Sequence, residues 1–86
     1  MTTRDAQKEI DKKRDMIAKL RKDNDRIGQA IKSEERGRTN FKSFPDADSR
    51  IARSKSDVKR MRSDIERNLR TISSYERIIH ELQRMR

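Results

Sequence analysis

The sequence predicts an all-α fold, an antiparallel two-helix coiled-coil hairpin, with dimerisation into a four-helix bundle as a further expectation. Three observations carry the prediction. Two stretches repeat apolar residues at alternate steps of three and four, the period of a coiled-coil seam. A single proline, Pro45, stands between them in a segment that also holds Gly37, Asn40 and Asp46. Finally, laying the stretches antiparallel so that paired numbers sum to 92 brings their two core asparagines, Asn24 and Asn68, opposite each other.

The first helix is expected over about residues 3–41. Thr2 or Thr3 can cap it, and Asp5 places negative charge in the first turn, where it suits the helix dipole. Its core positions are Ile10, Ile17, Asn24 and Ile31 at a, and Ala6, Lys13, Leu20 and Ile27 at d. Gly28 is its one weak point, at a cost of about 1 kcal/mol relative to alanine.

The turn is expected at about 42–47. Proline cannot continue a helix, because it lacks an N–H and clashes with the preceding turn, and it pushes Phe44 towards an extended conformation. The second helix, about 48–86, contains neither Gly nor Pro. Its a positions are Ile51, Val58, Ile65, Ile72 and Ile79, and its d positions Ser54, Met61, Asn68, Tyr75 and Leu82. Residues 1–86 thus form a single helical hairpin.

Two registers keep a opposite d, with sums of 92 or 85. The second would bury Asn24 against Met61 and Asn68 against Ile17. A buried amide without a partner costs about 1–3 kcal/mol, more than any flanking ion pair returns. The register with Asn24 against Asn68 is therefore expected. It pairs Leu20 with Ile72, places Met16 beside Ile78, and sets Arg14 near Glu76 and Glu35 near Lys55.

Composition narrows the function classes. Only 29% of the 86 residues are hydrophobic and 45% are charged, which suits an elongated form with one apolar stripe better than a globule. There is no cysteine and a single histidine, His80, so cysteine chemistry and a histidine metal site have no residues to use. A two-helix rod offers no concave pocket for a small-molecule substrate. The expectation is a non-enzymatic protein without cofactor or metal. No membrane span or cleaved signal is read in the sequence, so a cytoplasmic location is expected, with signal-independent export as the alternative.

Three sets of residues are candidates for function. Asn24 and Asn68 set the register. Met16, Tyr75, Ile78, Leu82 and Met85 widen the apolar stripe at the end away from the turn, and Phe44 stands at the tip. Together these form a docking face for a partner protein or a second copy of the chain. Arg53, Lys55, Lys59, Arg60, Arg67 and Arg70 on the second helix are candidate phosphate contacts, since the chain carries a net charge of +9. The leading expectation is a protein–protein interaction module that acts as a coiled-coil adaptor or structural subunit. A basic hairpin binding RNA or DNA is the alternative, and a small chaperone or targeting partner of a larger secreted protein is a third. The hairpin form resembles the small helical hairpins of type VII secretion, although the Trp-x-Gly turn of those proteins is missing here.

Overall fold

The structure, a computed structural model, describes residues 2–85. Helix α1 spans Thr3–Gly37 and helix α2 spans Ala47–Arg84, with a short 3-10 helix, Arg38–Ser43, between them. The two helices lie antiparallel in a rod whose Cα extents are 65 × 14 × 12 Å. Among the described residues no helix is long and apolar enough to cross a membrane.

Helix α1 starts as its sequence dictates. Thr2 is extended, its hydroxyl accepts from the Asp5 N–H at 3.2 Å, and Asp5 occupies the first turn. The far end departs from expectation. The α-helical part stops at Gly37 rather than 41, and the chain winds more tightly as a 3-10 helix to Ser43. Gly37 and Arg38 keep right-handed helical angles, so the glycine does not act as a left-handed cap. Hydroxyl groups explain the tightening. Thr39 Oγ1 donates to the Arg36 carbonyl at 3.1 Å and Ser43 Oγ to the Asn40 carbonyl at 3.2 Å, both three residues back. These bonds compete with the i→i−4 ladder and favour the narrower winding.

Phe44 then adopts φ −90° and ψ 146°, the extended conformation its following proline imposes. Helix α2 begins at Ala47 with Asp46 in the cap position. The Asp46 side chain makes no capping bond to the backbone; Arg50 Nε holds it at 2.8 Å instead. The Arg50 hydrogen bond, aided by the positive charge of Arg50 and Arg53, holds this exposed carboxyl below its usual range. The Arg50 guanidinium also lies 4.2 Å from the centre of the Phe44 ring. Helix α2 ends at Arg84; the expected last residue, Arg86, lies outside the described residues.

The seam is built from the heptad positions. Its buried members are Ala6, Ile10, Ile17 and Ile31 from α1, with Ser54, Val58, Ile72, Ile79 and Leu82 from α2. Ile10, Ile17, Ile72, Ile79 and Leu82 form one continuous cluster at the end away from the turn, with Leu20 and Tyr75 packed against it. Lys13 is tolerated in the seam because its ammonium sits 5.1 Å from the centre of the Tyr75 ring, a favourable cation–π position.

The two asparagines meet in the expected register. Asn68 Nδ2 donates to Asn24 Oδ1 at 2.8 Å, and Asn24 Nδ2 reaches the Ile65 carbonyl at a long 3.5 Å. Between this layer and the turn, Gly28 has no packing reason to be glycine, for an added Cβ would meet nothing within 4 Å. Gly28→Ala is therefore expected to stabilise the hairpin by about 1 kcal/mol and to raise its melting temperature by about 4–8 °C. Thermal unfolding followed by circular dichroism measures this, and an unchanged or lower midpoint would show that the glycine has a task in the fold.

Candidate functional site: the two edges of the hairpin

A two-helix rod has two long edges, one on each side of its seam, and here they differ in chemistry. One carries the residues one turn past the core a positions. On it Arg21 Nη2 pairs with Glu76 Oε1 at 3.1 Å, and Arg62 Nη2 with Glu35 Oε2 at 3.4 Å. The sequence reading placed Arg14 near Glu76 and Lys55 near Glu35. Both do line the same grooves as those carboxylates, but the ion pairs go to the arginines one heptad further on. The reason is directional. Side chains on a helix lean towards its N-terminus, so in an antiparallel pair two such residues converge when their numbers sum to 97 and diverge when they sum to 90.

The tip end of this edge holds a groove whose cations are Arg38, Lys55, Lys59 and Arg62, with Glu35 and Glu66 beside them. Arg38 escaped the sequence reading. Its Nε donates to Ser54 Oγ at 3.0 Å, and Ser54 is only 2% exposed at a core position. A buried hydroxyl needs a partner, and the arginine supplies it. The signal was available: a serine in a line of aliphatic core residues invites a polar group to reach in.

The opposite edge is apolar at the open end. Met16, Leu20, Thr71 and Tyr75 line a shallow groove there with the stem of Lys19. Met16 is 40% exposed, Ile78 38% and Met85 64%. Leu82, expected on the docking face, is instead buried in the seam cluster at 8% exposure, because its d position points at α1. Tyr75 is half-buried and shared between seam and groove. Phe44 is exposed but far from this patch, at the tip with Phe41 at 6.5 Å and Arg50 against its ring.

The candidate phosphate contacts do not form one surface. Arg60 is engaged by Asp57 at 3.6 Å and Arg67 by Asp64 at 3.0 Å, each within its own helix. Arg53 and Arg70 are exposed elsewhere on α2. Only Lys55 and Lys59 join the tip groove. His80 is exposed, and among the described residues no three His, Asp or Glu side chains stand close enough to hold a metal ion.

No protein-family model, curated protein or solved structure matches this chain.

Proposed function

We propose that the protein is a coiled-coil interaction module that docks a helix of a partner protein, or of a second copy of the chain, along the apolar edge of its open end. One observation carries the reading: Met16, Ile78 and Met85 are exposed on that edge beside the Met16–Leu20–Thr71–Tyr75 groove. A pair of helices needs only a narrow seam, and apolar residues beyond it bury their surface only when a further helix covers them. The gain is about 25 cal/mol for each Å² removed from water.

Sedimentation and thermal unfolding across a wide concentration range test the self-docking half. The wild-type chain is expected to associate, and its melting temperature to rise with concentration because the bound copy stabilises the folded state by mass action. Met16→Glu combined with Ile78→Glu and Met85→Glu should abolish both effects while preserving helicity, since all three side chains lie outside the buried seam. A wild-type chain that stays monomeric, with a midpoint independent of concentration, would remove the second copy and leave only a heterologous partner.

A further inference from the structure

The hairpin is pseudo-symmetric. Shifting α1 by 41 residues onto α2 superimposes Asp5 on Asp46, Ile10 on Ile51, Asp23 on Asp64, Arg26 on Arg67, Ile31 on Ile72 and Arg36 on Arg77. The same shift maps Arg21 onto Arg62 and Glu35 onto Glu76. The Arg21–Glu76 and Arg62–Glu35 pairs are therefore one interaction seen twice, related by a dyad that emerges between Gly28 and Leu69. The grooves on this edge obey the dyad as well. Arg14, Ile17, Ala18 and Arg21 of one correspond to Lys55, Val58, Lys59 and Arg62 of the other, and Ile79 corresponds to Arg38.

The edge thus presents two cation clusters, Arg14 with Arg21 and Lys55 with Arg62, and the tip cluster is reinforced by Lys59 and Arg38. Arg21 and Glu35 mark the two clusters on α1; they lie 14 residues apart, about 21 Å along a straight helix. Among the described residues Arg14, Lys55 and Lys59 have no carboxylate within ion-pairing distance. Arg38 is fixed from behind by Ser54, which leaves its two Nη groups directed by a rigid anchor.

We propose that this edge binds the phosphate backbone of double-stranded nucleic acid, independently of sequence. Spaced cations on a rigid surface satisfy the electrostatics of a phosphate backbone. The pseudo-dyad selects a duplex, whose antiparallel strands carry dyads of their own; proteins with two-fold symmetry match duplexes in this way. An acidic polypeptide has no such symmetry. A single strand is held mainly by stacking its bases on aromatic rings, and neither groove on this edge is lined by one. The inference concerns the edge opposite the apolar one and stands independently of the docking reading.

The test is fluorescence anisotropy with 20-base-pair DNA and RNA duplexes, a single strand of equal length, and polyglutamate, from 50 to 200 mM salt. The wild-type chain should bind both duplexes, with log affinity falling against log salt at a slope that reaches about −5.4 if all six cations contact phosphates. Arg14→Gln, Lys55→Gln and Lys59→Gln together should weaken duplex binding by about tenfold or more and flatten the slope by nearly three units. A control with the same charge loss, Arg60→Gln, Arg67→Gln and Arg70→Gln, should leave the slope within about one unit of wild type. Circular dichroism verifies that both variants keep their helices. Equal weakening in the control would reduce the effect to net charge and overturn the proposal. So would tighter binding of the single strand, equal binding of polyglutamate, or no duplex binding at 50 mM salt.

Discussion

Asn68→Ala is expected to destabilise the hairpin by about 1–3 kcal/mol, because it leaves Asn24 Oδ1 in the seam without the donor that now reaches it at 2.8 Å. Chemical denaturation reads this as a lower midpoint. Replacing both asparagines, Asn24→Ile with Asn68→Leu, should have the opposite effect. The double variant should be more stable than wild type, since apolar groups pack in the seam without desolvating two amides. Its cost should appear in register. In the native seam, cysteines introduced at Leu20 and Ile72 should oxidise to an intramolecular disulfide, as Leu20 packs against the cluster that contains Ile72. Cysteines at Leu20 and Ile65 should close only in the double variant, where nothing penalises a slip of one heptad. If the double variant still closes only the first pair, packing alone sets the register and the asparagines are dispensable for it.

The second large effect is expected at Ile72, which is 5% exposed in the continuous cluster of the open end. Ile72→Ala should cost about 2–4 kcal/mol through lost burial and the cavity left behind. A chain of 86 residues has a total stability of about 4–13 kcal/mol by size alone. This seam also carries Lys13 and two asparagines, which places it towards the lower end. The variant should therefore be substantially unfolded at 37 °C. Met61→Ala, half-buried in the other half of the seam and outside that cluster, should cost less than half as much. Equal losses at the two sites, measured by urea unfolding, would show that stability is spread evenly along the rod.

Much of this architecture was legible because it depends on period. Ile, Leu and Val at steps of three and four specify which face of each helix is buried, Pro45 marks the reversal, and Asn24 finds in Asn68 a donor for its side-chain oxygen. Details that depend on axial direction were not legible in heptad letters. Arg14 and Arg21 carry the same letter, and only the lean of side chains towards the helix N-terminus decides that Arg21 meets Glu76. The 3-10 winding is not legible in the heptads, which carry Thr39 in the first helix and Ser43 in the turn and say nothing of hydroxyls bonding three residues back. Leu82 carries both a core d position and a place in the widened apolar stripe in the sequence, and only the core placement holds, at 8% exposure. Asp57 and Asp64 already interrupt the basic line in the sequence, and they hold Arg60 and Arg67; what heptad letters do not show is Arg38, which lies on the other side of the turn.

The uneven seam also governs how the rod comes apart and forms. Its largest buried cluster joins Ile10 and Ile17 to Ile72, Ile79 and Leu82, residues from opposite ends of the chain, whereas the half nearer the turn buries Ile31, Val58 and the polar Ser54. A chain zipping from the turn closes its largest cluster last, against the entropy of the largest loop. A half-zipped hairpin lacks the five-residue cluster of the open end and keeps only the smaller buried set around Ile31 and Val58. The same order runs in reverse under load. Pulling the two ends apart loads the open-end cluster first, so the largest block of buried apolar residues must part before the layers around Ile31 and Val58 carry any force.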